Sequence, residues 1–185
     1  MSSHINGLLR NTQTQPAEDS FMNILKRIMD ATRSGKIEVK NIFCKEQYSF
    51  VWKDPVSTEE LAAFERETGY RLPNDYTEFL LLSNGAVLFK SAFEEDGYKL
   101  LGLPEIIQET QAMTKAGYSI PEGYYCFCQC LFNDDVLFFD LNQEKNYIVD
   151  GDVGYPPSAW KHISGDLNHF LIRLCICNGA TYWRW

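Results

Sequence analysis

Residues 57–85 read Ser-Thr-Glu-Glu-Leu-Ala-Ala-Phe-Glu-Arg-Glu-Thr-Gly-Tyr-Arg-Leu-Pro-Asn-Asp-Tyr-Thr-Glu-Phe-Leu-Leu-Leu-Ser-Asn-Gly. Two short helices are written into this stretch. Ser57 followed by Glu60 is a capping box, in which each residue satisfies a backbone N–H of the other. Leu61, Phe64 and Thr68 then fall on one face, and Gly69 supplies the left-handed residue that ends a helix. Leu72-Pro73 opens a second helix, with proline expected in the first turn, where its missing N–H costs nothing. Asp75 sits in the same turn, where a carboxylate favours the helix dipole. Tyr76, Phe79, Leu80 and Ser83 form the next apolar stripe, and Asn84-Gly85 is expected to cap it.

On the N-terminal side, residues 1–17 are polar and nearly uncharged, and a mobile arm is expected. Phe21, Leu25, Ile28 and Thr32 predict a helix over 18–34, with Gly35 at its end. Two β-like stretches follow at 37–44 and 48–52. On the C-terminal side, strands are expected at 86–90 and 98–103, and a helix at 104–115. Tyr124–Phe132 and Asp135–Leu141 form a hairpin about a polar turn, with a further strand at 145–150. Residues 151–157 hold two Gly and two Pro and are expected to be loop. A last helix starts near Ser164 or Asp166, with Leu167, Phe170, Leu171, Leu174 and Asn178 along its stripe and Gly179 as its cap. The pattern predicts an α+β fold, a mostly antiparallel central sheet flanked by helices, in one domain spanning 18–185.

The 185-residue chain carries a formal charge of −8, unevenly spread. Residues 1–53 have eight basic and five acidic side chains, residues 54–152 have six and nineteen, and residues 153–185 have three and one. The middle of the chain is therefore at −13 between two mildly basic ends. Such a chain lacks the broad cationic surface that grips nucleic acid or anionic lipid. No basic segment followed by a long apolar run opens it, and no run reaches membrane-spanning length. A cytoplasmic location is expected.

Six cysteines are too few for a disulfide scaffold. Cys126, Cys128 and Cys130 share a predicted strand whose period of two puts their sulfurs on one face. Cys175 and Cys177 lie in a predicted helix, about 200° apart around its axis. No C-x₂-C pair accompanies them, so buried packing is favoured over zinc. Of three histidines, His4 lies in the arm, His162 in a loop and His169 on the polar side of the last helix. No nucleophile elbow, zinc-protease motif or phosphate-binding loop is present. Asp150-Gly-Asp152 lacks the later ligands of a calcium loop. Neither a metal nor a cofactor nor a catalytic residue is assigned. Glu94-Glu95-Asp96 and Asp134-Asp135 lie in expected turns, as ordinary solvated carboxylates or as a surface for a partner. The tail, Tyr182-Trp183-Arg184-Trp185, is read either as packed back over the sheet or as an exposed anchor rich in the residues of binding hot spots.

The 57–85 block resembles the signature of the SUKH superfamily, the Smi/Knr-like proteins. The matching residues are Leu61, Phe64, Glu65, Gly69, Leu72, Pro73, Asp75, Tyr76, Phe79, Leu80, Asn84 and Gly85. Gly85-Ala86 stands where the family usually has two glycines. The resemblance extends more loosely through Phe139-Asp140, Ile148-Val149 and Phe170-Leu171, over about 18–178. It implies an α+β fold and, for many bacterial members, an immunity protein that neutralises a polymorphic or contact-dependent toxin, often a nuclease. Some relatives are instead interaction modules in cell-wall signalling. On charge and loop position, Glu94, Glu95, Asp96, Asp134, Asp135, Asp150 and Asp152 are the residues expected to meet a basic protein partner.

Overall fold

The computed structural model describes residues 21–40, 45–92, 96–133 and 135–185. The N-terminal arm, the start of the first predicted helix, Cys44, Glu94, Glu95 and Asp134 lie outside the described residues.

Helix α1 (Phe21–Thr32) is followed by strands β1 (Lys36–Lys40) and β2 (Lys45–Trp52), then helices α2 (Thr58–Thr68) and α3 (Asn74–Leu80). Strands β3 (Ala86–Ser91) and β4 (Tyr98–Leu100) lead to helix α4 (Leu103–Lys115). Strands β5 (Tyr124–Cys130), β6 (Val136–Asp140), β7 (Ile148–Gly151) and β8 (Lys161–Ile163) precede helix α5 (Leu167–Ile176). Short 3₁₀ turns occupy Pro157–Ala159 and Tyr182–Arg184. Among the described residues, the strands form a single eight-stranded sheet in the order β1 to β8, every pair antiparallel. The predicted α+β fold is thus the observed one.

Residues 57–85 fold largely as their sequence dictates. Ser57 is the N-cap of α2, its hydroxyl taking the Glu60 N–H while the Glu60 carboxylate takes the Ser57 N–H at 2.7 Å. Gly69 ends α2 at φ 73°. Two details differ from expectation. Pro73 is the N-cap of α3 rather than its first residue, because its extended ψ of 142° has not yet entered the helix. Asn84-Gly85 is not the cap of α3, which ends at Leu80. It forms a separate crossing with the backbone at Leu100–Gly102. Gly85 sits at φ 98°, and a β-carbon there would lie 2.9 Å from the Leu100 carbonyl oxygen. The Asn84 side-chain oxygen accepts the Leu103 N–H at 2.8 Å and so helps start α4. The glycine is required by close backbone approach as well as by its left-handed conformation.

The core is aromatic. Phe127 stacks on Phe139 with centroids 4.0 Å apart and planes 6° from parallel, and Tyr76 meets both rings edge-on. Phe170 of α5 closes on Phe127. Tyr76 has no solvent exposure, and its hydroxyl donates to the Leu101 carbonyl. Such pairs contribute about 0.5–1.5 kcal/mol each beyond the area they bury. Strand β5 departs from simple alternation. Cys126 pairs with Phe138 while Cys128 pairs with Leu137, so a β-bulge interrupts the strand at Phe127. The expectation of three sulfurs on one unbroken face is corrected accordingly, and all three cysteines are buried.

Strand β8 was not expected, and His162 lies on it rather than in a loop. Its three residues are too few, and Lys161-His162 too polar, to announce a strand by periodicity. The other shifts are at element boundaries: the expected 98–103 strand ends at Leu100, and the 145–150 strand is Ile148–Gly151.

Candidate functional site

Among the described residues, two polar clusters bear most on function. The first joins α3 to the start of α5. Asp75 Oδ2 accepts the Tyr147 hydroxyl and the Leu167 N–H, the latter at 2.9 Å, and Leu167 N also lies 3.1 Å from Tyr147 Oη. Burial pushes the Asp75 carboxyl up, against the lowering pull of its two donors. The side chain sits in the first turn of its own helix, as the sequence predicts, and also serves a second helix. It supplies a first-turn acceptor for α5, alongside the N-cap Asp166, whose carboxylate takes the His169 N–H at 2.9 Å. The other matched motif residues are structural as well: Leu61, Phe64, Leu72, Tyr76, Phe79 and Leu80 are all core.

The second place is a groove of about 620 Å³ between the β8 edge and the C-terminal turn. Trp160 forms one side, its ring stacked on Phe138 at 4.9 Å and its indole N–H donated to the Asp152 carbonyl at 2.9 Å. The tail forms the other. Trp183 packs edge-on against Tyr98 and lies 5.4 Å from Phe170, while Tyr182 carries the Arg173 guanidinium over its face at 5.8 Å. The tail is therefore folded back at Tyr182 and Trp183, whereas Trp185 is 84% exposed at the rim. Of the two readings left open by the sequence, each describes one half of the tail.

The carboxylates expected to meet a partner are not a uniform acidic face. Asp135 is buried, and Asp150 is nearly so at its side chain. Arg184 pairs with both, at 2.9 Å to Asp135 and 2.6 Å to Asp150. Asp96 and Asp152 are half-buried and turn back on their own loops, taking the Gly97 and Gly154 N–H groups. The structure brings Asp150 and Asp152 together at the groove and leaves Asp96 elsewhere. Lys161, Arg173 and Arg184, which sequence reasoning did not select, also line the groove. The one sequence signal for them was the aromatic tail containing Arg184.

Two further groups complete the electrostatics. Asp140 is buried, and burial alone drives its carboxyl up. His162 at 3.0 Å, the Asn142 N–H and Tyr124 outweigh that and hold it below the usual range. Burial also pushes the thiols of Cys126, Cys128, Cys130 and Cys175 up, those of Cys130 and Cys175 to about 12. These are protonated packing groups at neutral pH. No helix of the described residues is long and apolar enough to cross a membrane.

The comparisons agree with the residue pattern. The family model for the SMI1 / KNR4 family (SUKH-1) matches residues 55–173. The chain is 35% identical over 141 residues to the uncharacterized protein YnaB of Bacillus subtilis, covering 75% of this chain and 89% of that one. It is 27% identical over 179 residues to the uncharacterized protein YobM of the same organism, covering 89% of each. The matched span runs from the lead into α2 to within α5, and holds every residue of the Asp75–Tyr147–Leu167 junction and of the Asn84-Gly85 crossing. The chain belongs to the SMI1 / KNR4 family (SUKH-1).

Proposed function

We propose that this protein is a non-catalytic immunity protein, which binds a polymorphic or contact-dependent bacterial toxin one-to-one and neutralises it. The family match across residues 55–173 carries this reading, because that family includes many immunity proteins. The charge distribution supports a basic toxin, of the kind that acts on nucleic acid. A net −13 over residues 54–152 attracts a cationic domain at long range and speeds encounter. Asp96 and Asp152 are the described loop carboxylates of this surface, and Glu94, Glu95 and Asp134 are assigned to partner binding from the sequence alone. Asp135 and Asp150 contribute less, since both are largely buried and share the Arg184 guanidinium, which offsets half of their charge. Neither nucleic acid nor a membrane is a direct partner in this reading.

The test is co-expression with the product of the neighbouring toxin-like gene. Restored growth and a one-to-one complex on gel filtration are expected. Continued toxicity together with no complex overturns the assignment for that pair. Tight binding to a cellular protein without protection would place the chain among the family's interaction modules.

A further inference from the structure

A separate cleft of about 270 Å³ lies where β2, β3 and the turn into β4 meet the chain leaving α5. Among the described residues, four aromatic side chains line it: Tyr48 of β2, Phe89 of β3, Tyr98 of β4 and Phe132 just beyond β5. Phe89 and Tyr98 are buried, Tyr48 is half-buried and Phe132 is 38% exposed. Tyr48 meets Phe89 edge-on with centroids 5.8 Å apart, and Phe132 meets Tyr98 in the same way at 5.6 Å.

The backbone around these rings is tightly held. Phe89 adopts a φ of 53°, a costly conformation for a bulky side chain. A β-carbon on Gly97 would lie 2.6 Å from the Leu88 carbonyl oxygen, and one on Gly179 would lie 2.8 Å from Phe89 Cγ. The Tyr98 hydroxyl donates to the Gly179 carbonyl at 2.8 Å. Three segments far apart in sequence are thus drawn together at Phe89. Strain of this kind concentrates where a ligand is held.

Among the described residues, Asp96 is the one charged side chain that lines the cleft. Its Oδ1 takes the Gly97 N–H at 2.7 Å, which positions the carboxylate and leaves its charge intact. No described lysine, arginine or histidine pairs with it. Aromatic rings beside an uncompensated carboxylate attract a cation, through the ring quadrupole and through the charge. A guanidinium suits such a place better than an ammonium, because it is flat, weakly hydrated and able to stack on a ring. We propose that this cleft receives an arginine side chain of a partner protein, its guanidinium paired with Asp96 and resting on Phe132 and Tyr48. The inference rests on the reading that the chain binds a basic protein, and it assigns one contact within that complex. The acidity of residues 54–152 brings the partner near, and the cleft fixes one of its side chains.

The probes are N-acetyl-arginine amide, its lysine counterpart and its citrulline counterpart, which keeps the arginine shape without the charge. Binding is read by amide NMR titration. The arginine compound is expected to shift the Asp96, Gly97 and Gly179 signals, the lysine compound to bind more weakly, and the citrulline compound to leave them in place. Asp96→Asn keeps an acceptor for the Gly97 N–H, so the turn is preserved. It should weaken arginine binding about threefold, the size of one exposed ion pair. Phe132→Ala should weaken it by about the same factor through loss of the ring. Equal shifts from the arginine and citrulline compounds, or an Asp96→Asn protein that binds arginine as wild type does, overturns the proposal. The toxin assay keeps it apart from the immunity reading. Full protection and an unchanged Kd for the toxin complex in Asp96→Asn/Phe132→Ala removes the cleft from the contact and leaves immunity standing. Arginine-selective binding that the double variant loses, with no protection from the toxin, supports the cleft and removes immunity for that pair.

Discussion

Arg184 grips Asp150 with both ends of its guanidinium, Nε donating to Oδ2 at 2.7 Å and Nη2 to Oδ1 at 2.6 Å. The remaining nitrogen, Nη1, reaches Asp135 Oδ2 at 2.9 Å. One residue next to the last of the sequence thus ties the start of β6 to the end of β7. The fork geometry suits arginine and no other side chain. The pairing holds the 3₁₀ turn in place, and with it Tyr182 and Trp183 over Tyr98 and Phe170.

Arg184→Ala should therefore destabilise the protein by about 1–3 kcal/mol, mainly by leaving the buried Asp135 without its cation. Adding Asp135→Asn should return part of the loss, because a neutral amide tolerates burial better. Urea denaturation of both variants checks this. An unchanged midpoint for Arg184→Ala would show that the clamp contributes nothing.

Gly85→Ala tests the Asn84-Gly85 crossing. The new methyl would sit 2.9 Å from the Leu100 carbonyl oxygen and 3.0 Å from the Gly102 nitrogen, both backbone atoms, at a φ of 98°. Neither obstacle can swing aside as a side chain tip does. A loss of about 2 kcal/mol or more is expected from strain at a special φ/ψ. Gly69→Ala is the control: it has the same kind of φ, 73°, but nothing within 4 Å of the added carbon, so its cost should be smaller. Equal losses in the two variants would show that the close approach does not matter.

How much of this was legible follows from the range of each interaction. The Ser57–Glu60 box, the Gly69 stop, the Tyr76 and Phe79 stripe and the β5–β6 hairpin depend on neighbours a few residues away, and the sequence declares them. The roles of Asp75, Asn84 and Gly85 depend on partners far along the chain, Leu167 for the first and Leu100 to Leu103 for the others. The motif marked these positions without stating what they touch. Strand β8 is too short and polar to carry a periodic signal. The Arg184 clamp spans 34 residues to Asp150 and 49 to Asp135. Reading Asp135 and Asp150 as free surface charges followed from counting carboxylates without a way to find their cation.

Glu105 carries a pH dependence whose sign can be worked out. Burial pushes its carboxyl up, but the Gly102 N–H and the ammonium groups of Lys53 at 2.8 Å and Lys99 at 3.0 Å outweigh it and bring it from 4.5 to about 2. A folded value below the unfolded one means that the charged form is favoured by folding. The contribution is complete above the ordinary carboxylate range and is lost as pH falls from there toward 2. Glu105→Gln should cost about 1 kcal/mol at pH 7, since the lysines are partly solvated. It should cost almost nothing near pH 2. Thermal unfolding of both proteins across this range checks the convergence, and a gap that stays constant with pH would contradict it.

The buried thiols give the last prediction. Cys126, Cys128, Cys130 and Cys175 are at most 5% exposed, and burial pushes all four thiols above their usual value. Alkylation needs the thiolate and access to it, and both are denied here. In native buffer at pH 8, iodoacetamide should label these four far more slowly than the half-buried Cys177. Sub-denaturing urea should raise labelling of the β5 trio together, because they share one central strand whose neighbours β4 and β6 must open with it. Peptide mapping by mass spectrometry resolves the sites. Rapid native labelling at Cys128, which has no solvent exposure, would show that the centre of the sheet opens without unfolding.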